Sequence, residues 1–180
     1  MRGRTPDQYP LFDAPAAFPN GFEYQPNFIT AEEEAELLRH IQALPLKNAP
    51  FKEYVAKRRV YGWWGTRKLP EWLLPITAKI EQWHGLPAGA LKNALVSEYS
   101  PGTGVGWHRD QPPYTKIFGL SLAGWAQFDL RPNRNASTKE PVSLTVEPRS
   151  LYVMQGESRE RFQHRVEPTK TLRYSITFRI

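Results

Sequence analysis

Leu172-Arg173-Tyr174-Ser175-Ile176-Thr177-Phe178-Arg179, near the C-terminus, alternates without a break. Leu172, Tyr174, Ile176 and Phe178 share one face of an extended chain, and Arg173, Ser175, Thr177 and Arg179 share the other. Period-two alternation is the signature of a strand with two unlike faces, one of them against a core. The polar face is unusual in carrying two arginines. On a solvent face they need no explanation. On a cavity wall each fixed guanidinium needs a carboxylate, which the planar fork of arginine can hold through two hydrogen bonds.

The residues upstream favour the cavity. In His108-Arg109-Asp110 the first and third side chains of an extended segment project to one side, so both can reach one metal ion. His164 lies in a second strand-like run, Arg161 to Val166, and Val105-Gly106-Trp107-His108 is strand-like too. Two imidazoles and one carboxylate around a divalent iron leave an open side for a co-substrate and O₂. Taken singly, each of the four histidines reads as a structural or surface residue. His40 lies in a charged helical segment, and His84 precedes a glycine at a helix end, where a polar side chain suits the dipole. It is the conjunction of His108, Asp110 and His164 with Arg173 and Arg179 that points to a metal centre with a dicarboxylate co-substrate.

The rest of the chain supplies a scaffold for such a site. Residues 1–20 are rich in proline and polar residues and read as an extended segment, with a single domain over 21–180. Thr30-Ala-Glu-Glu33 is a capping box that opens a helix to about Leu44, with Leu37, Leu38, Ile41 and Leu44 as its apolar stripe. The acidic run Glu32 to Glu36 complements the positive end of that helix. A second helix starts near Pro75 and ends before Gly85. From Asn93 onward eight strand-like runs follow, at 93–99, 104–109, 116–122, 125–130, 142–146, 150–154, 160–166 and 171–179. The fold class is α+β, mostly β: a double-stranded β-helix, or jelly roll, buttressed by N-terminal helices. Residues 131–141 read as a polar loop and Gln111-Pro-Pro-Tyr114 as a rigid one beside the metal.

With 180 residues the chain is long enough for one self-sufficient core, and with no cysteine it has neither disulfides nor thiolate metal sites. No apolar stretch approaches membrane-spanning length, so the expectation is an intracellular, cytoplasmic monomer away from membranes. A net charge of +6 favours a polyanionic partner, nucleic acid above all. Basic residues cluster in Lys57-Arg58-Arg59, in Arg131-Pro-Asn-Arg134 and from Arg159 to Arg165. The first cluster runs into Val60-Tyr61-Gly62-Trp63-Trp64-Gly65, where basic and aromatic side chains together could grip a backbone and stack a displaced base. Adjacent Trp63 and Trp64 point opposite ways if extended, so at most one stacks and the other packs. Most of the six tryptophans are expected in the core.

These residues resemble the AlkB-type Fe(II)- and 2-oxoglutarate-dependent dioxygenases, closely over the C-terminal half. The resemblance rests on His108-x-Asp110, the distal His164 and the Arg173-x5-Arg179 ending. It implies Fe(II) on His108, Asp110 and His164, 2-oxoglutarate and O₂ as co-substrates, and no catalytic side chain beyond the iron centre. Arg173 would hold the far carboxylate of 2-oxoglutarate, Tyr99 would donate its hydroxyl to it, and Arg179 would support the metal-side carboxylates. Arg159, within Gly156-Glu-Ser-Arg159, would approach the substrate. The segment around 52–68 corresponds to a nucleotide-recognition lid, with Arg59, Tyr61, Trp63 and Trp64 as substrate contacts. The implied activity is oxidative dealkylation of alkylated bases in DNA or RNA.

The chain also departs from that pattern. Ser97 and Ser175 stand where the family has asparagines, and serine reaches less far than an amide. Pro112 occupies a position that carries an acidic base-recognition residue in some members. These departures keep open the same iron chemistry on a modified tRNA base or a protein side chain. A non-catalytic jelly-roll binding module is the remaining reading, and the complete ligand set weighs against it.

Overall fold

The structure, a computed structural model, describes residues 18–51, 54–110, 112–133 and 141–180. Along the chain run β1 (Phe22–Gln25), α1 (Ala31–Gln42), β2 (Lys47–Phe51), β3 (Tyr54–Trp63), a single 3-10 turn (Glu71–Leu73), α2 (Leu74–Trp83), β4 (Asn93–Tyr99), β5 (Val105–His108) and β6 (Lys116–Leu122). They are followed by β7 (Ala126–Pro132), β8 (Val142–Val146), β9 (Leu151–Gln155), α3 (Gly156–Glu160), β10 (Phe162–Val166) and β11 (Arg173–Arg179). The strands form a seven-stranded sheet, ordered β1-β9-β6-β11-β4-β3-β2, and a four-stranded sheet, ordered β5-β10-β7-β8. Every pairing is antiparallel. The two sheets face each other as a jelly roll.

Both faces of the large sheet are covered, and by different things. Ala94, Val96, Phe118, Leu120, Leu122, Val153, Ile176 and Phe178 pack on Leu37 and Ile41 of α1 and on Ile76 and Ile80 of α2. Between the sheets Tyr99, Ile117, Tyr152 and Met154 meet Phe128, Leu130, Val146 and Val166. Each fully buried aliphatic or aromatic side chain contributes about 1.5–3 kcal/mol. The helices are therefore held on one side of the large sheet, which leaves its other side for the cavity.

The helix signals act as expected. Thr30 Oγ1 accepts the Glu33 amide at 3.2 Å, and the Glu33 carboxylate accepts the Thr30 amide at 2.8 Å. Glu33 also pairs with Lys79 at 2.7 Å, tying α1 to α2. His40 stacks on Trp72 with ring centroids 5.0 Å apart, and His84 abuts Phe118 edge-on, so both are packing residues.

Three expectations need correction. The described residues hold eleven strands, not eight, because β1, β2 and β3 precede Asn93; the charges of Lys57-Arg58-Arg59 hide the alternation of β3. The run expected as a strand over 160–166 begins only at Phe162, since Gly156 to Glu160 turn into α3. Of the tryptophans only Trp63 is fully buried, while Trp64, Trp83 and Trp125 are exposed. Trp107 lies on the outer side of the small sheet between two guanidiniums, Arg131 at 4.2 Å and Arg165 at 4.8 Å from its ring centroid. The extended segment expected over 1–20 falls mostly outside the described residues, as do Gln111 and most of the 131–141 loop.

Candidate active site

β11 is the middle strand of the large sheet, and register decides what it turns toward the small one. Arg173 lies opposite Tyr99 on β4, and Ser175 sits between Ser97 of β4 and Ser121 of β6. These three serines form a row across three strands. Thr177 lies between Leu95 and Gly119, and Arg179 completes the face. A cavity lies over this face, closed from the small sheet by Val105, His108, Phe128, His164 and Val166. Tyr152 forms part of its wall by lying directly on Gly119, where a methyl group would come within 2.1 Å of the ring.

The small sheet brings the candidate ligands together. His164 on β10 is paired in register with His108 on β5, and their rings are 4.2 Å apart. Asp110 lies two residues past the end of β5 and 3.5 Å from His164. One donor atom from each of the three residues falls within 4.8 Å of the others, a group the strand ends hold on one side. His108 Nδ1 faces the Gly106 carbonyl at 2.8 Å; with the proton on Nδ1, donated to that carbonyl, Nε2 is the free ligand atom.

The electrostatics match ligand duty. Burial pushes the His164 pKa down, His108 adds to the effect, and it falls to about 3, so the imidazole is neutral as a ligand must be. Burial alone would raise the Asp110 carboxyl, but Arg179 and the two imidazoles outweigh it and hold the group ionised below the usual carboxylate range. Arg179 Nη2 donates to Asp110 Oδ1 at 2.9 Å, and Arg159 donates to the Asp110 backbone carbonyl at 2.9 Å. Arg159 also lines a second cavity that shares Asp110 and is walled by Arg109, Pro112, Pro113 and Tyr114.

Two observations test the fit of cofactors. Two imidazoles and a carboxylate on one side of an ion are the donor set of an Fe(II) oxygenase centre, with positions left for other ligands. Arg173 is only 1% exposed, its Nε donates to Ser121 Oγ at 3.0 Å, and its Nη1 is buried without a hydrogen-bond partner among the described residues. A buried, unanswered guanidinium donor in a cavity lined by Tyr99, Ser97 and Ser175 calls for an anionic acceptor. The distal carboxylate of 2-oxoglutarate would meet that need. Tyr99 belongs to the same end: burial pushes its phenol up, but Arg173 and Arg58 outweigh this and bring it below the ordinary value.

The expected site residues thus divide. His108, Asp110, His164, Arg173, Arg179, Tyr99, Ser97 and Ser175 all line one cavity. Arg59, Tyr61 and Trp63 do not: they pair with Glu98, Val96 and Ala94 on the helix side of the sheet, the face away from the cavity. Arg59 is committed to a two-bonded ion pair with Glu98 at 2.7 Å, and Tyr61 and Trp63 pack against each other, with Trp72 on Trp63. Strand alternation places them there. Trp64 is 57% exposed and lies over Gly62, on the cavity side. The sequence marked Arg58 only as part of a basic cluster for a nucleic-acid backbone, and Ser121 and Tyr152 not at all. Reading β3 with period two from buried Trp63 would have turned Arg58 inward; nothing local marks Ser121 or Tyr152.

Residues 47–179 match the family model described as "2OG-Fe(II) oxygenase superfamily". The chain is 29% identical over 159 residues to "Probable RNA/DNA demethylase ALKBH6" of Danio rerio, covering 78% of this chain and 67% of that protein. It is 29% identical over 190 residues to "Alkylated DNA repair protein ALKBH8 homolog" of Arabidopsis thaliana, covering 86% of this chain but only 52% of that longer protein. Among solved structures, OsALKBH1 superposes with a TM-score of 0.73 at 15% identity, over 91% of this chain and all of that one. A prolyl hydroxylase from Trichoplax adhaerens superposes with a TM-score of 0.63 at 19% identity, over 89% of this chain and 83% of that one. These two likenesses show the shared jelly-roll fold. With the family model spanning most of the chain and the ligand set in one cavity, the protein belongs to the 2OG-Fe(II) oxygenase superfamily and is an AlkB-type Fe(II)- and 2-oxoglutarate-dependent dioxygenase.

Proposed function

We propose that this dioxygenase removes alkyl groups from nucleobases of DNA or RNA by oxidative dealkylation, inside the cell. The observation that carries the reading is Trp64. Its indole covers Gly62 on the cavity side of β3, beside Leu95, which lines the cavity, and it stays exposed. A flat exposed aromatic at the rim of an oxidising centre is a stacking platform for an extruded base. The net charge of +6 supports a phosphate-bearing partner, and the names of the Danio and Arabidopsis relatives point the same way.

When bound, Fe(II) with 2-oxoglutarate and O₂ supplies insertion of one oxygen atom into a C–H bond, the co-substrate leaving as succinate and CO₂. His108, Asp110 and His164 hold the ion, and Arg179 keeps Asp110 ionised and aimed. Arg173, Tyr99, Ser97 and Ser175 hold the distal carboxylate and so fix the co-substrate's orientation. Phe128, which stacks on His164 at 5.5 Å between ring centroids, and Val166 keep water from the inner wall. A hydroxylated alkyl carbon on a base nitrogen then releases an aldehyde and the restored N–H without a protein nucleophile. The strands β2 and β3 serve as the lid of this site, Trp64, just past the end of β3 away from the hairpin turn, taking the base and Arg159 contacting the substrate near Asp110.

Iron-loaded protein with 2-oxoglutarate, ascorbate and methylated single-stranded DNA, double-stranded DNA or tRNA should release formaldehyde and restore the base mass in at least one nucleic acid. Succinate formation that no nucleic acid stimulates, with no loss of base methyl groups, would refute the proposal and move the target to a protein side chain.

A further inference from the structure

We propose that Arg58 of β3 is a co-substrate positioning residue: it sits beside the Tyr99 ring and supplies a second cation for the distal carboxylate of 2-oxoglutarate. The proposal depends on the co-substrate and not on the nucleic-acid reading. In the sequence Arg58 belongs to the basic run Lys57-Arg58-Arg59, which resembles a phosphate-binding patch. The strand splits that run. Arg59 turns to the helix side and is consumed by Glu98, whereas Arg58 turns inward and lines the cavity of the metal ligands.

Three facts define its duty. The Arg58 guanidinium lies 6.0 Å from the centroid of the Tyr99 ring and Arg173 lies 4.9 Å from the same centroid, so one phenol serves two cations. The two charges, that of Arg173 and then that of Arg58, outweigh burial and bring the Tyr99 phenol below its ordinary value, so Arg58 acts electrostatically on the group that faces the co-substrate. Among the described residues Arg58 has no acidic partner, and the one acidic residue lining the cavity, Asp110, is engaged by Arg179. The Tyr99 end of the cavity therefore holds two uncompensated cations and a phenol, an environment that favours a 2-oxo acid ending in a carboxylate over one ending in a methyl group.

The test compares two ligands by calorimetry on protein loaded with Mn(II) under nitrogen: 2-oxoglutarate, and 2-oxopentanoate, which has the same chain length but ends in a methyl group. Arg58→Met should raise the Kd of 2-oxoglutarate about tenfold, as expected for the loss of one partly screened charge near a carboxylate. The Kd of 2-oxopentanoate should change by less than about twofold, within the same charge argument. In turnover, KM for 2-oxoglutarate should rise with kcat retained. An unchanged 2-oxoglutarate Kd, or an equal loss for both ligands, overturns the proposal, the latter by showing that Arg58 only packs. Should Arg58→Met fail to fold, Arg58→Gln keeps a long polar side chain without the charge, and the same two-ligand comparison decides.

Discussion

Replacing Arg173 by Met should have opposite effects on the empty and the liganded protein. Without co-substrate, Arg173 is a fully buried guanidinium with one donor unanswered, and its Nε donates to Ser121. Losing that bond costs about 1 kcal/mol, and removing a buried unpaired charge offsets it, so apo stability should stay within about 1 kcal/mol of the parent. With co-substrate, a two-bonded charged clamp is missing, worth about 3 kcal/mol or roughly a hundredfold in Kd. At a 2-oxoglutarate concentration of about 100 times the parent Kd, ligand stabilisation falls from about 2.7 to about 0.4 kcal/mol. For a domain of this size that is a thermal shift of roughly 5–10 °C shrinking to about 1 °C. Melting curves with Mn(II), with and without 2-oxoglutarate, read both numbers from one sample. Arg173→Lys should resemble the Met variant more than the parent, because an ammonium lacks the fork. A retained ligand shift, or an apo protein destabilised by several kcal/mol, would refute the reasoning.

Substituting His108, Asp110 or His164 by Ala should abolish Fe(II) binding and succinate formation while melting temperatures stay near that of the metal-free parent, checked by metal analysis and calorimetry. Trp64→Ala should weaken oligonucleotide binding by about 1–3 kcal/mol at unchanged stability, whereas Trp63→Ala should cost about 3–5 kcal/mol of stability; equal melting temperatures for the two would contradict their opposite placement. For metal-free protein, His164 stays neutral when folded down to a pKa of about 3, while the unfolded imidazole binds a proton below about 6.5. Between those limits the unfolded state holds more protons, so stability falls with falling pH, by on the order of 1 kcal/mol per unit from this group. His164→Gln should flatten the denaturation profile by that slope, and an unchanged slope would show that the buried histidine is already charged.

Much of this is legible in the sequence, and the legible parts share a cause. The alternation from Arg173 to Arg179 survives as β11 because both faces of that strand are constrained, one by the helix-side core and the other by the cavity, whereas Leu172, expected on the core face, precedes the strand and is exposed. The capping box at Thr30 was readable because its bonds are local. Arg59, Tyr61 and Trp63 were misplaced because composition alone grouped them with Trp64, whereas the pairing of β3 with β4 sends alternate residues to opposite sides. Ser121 and Tyr152 enter the cavity through pairing across strands distant in sequence, and no neighbouring residue announces that.

β5, which carries His108, is four residues long and forms the edge of the small sheet, with only β10 beside it. Edge strands fray first, and fraying here would let go of a metal ligand. Trp107, the neighbour of His108 in the chain, reaches across the outer side of the sheet into the grip of Arg165 on β10 and Arg131 on β7. Those two guanidiniums are anchored in turn, Arg165 on Asp129 at 2.6 Å and Arg131 on Gln163 at 2.9 Å. The lifetime of the bound iron thus depends on an external splint whose members never touch it, and damage to that splint would register as slow metal leakage and not as a fault in chemistry.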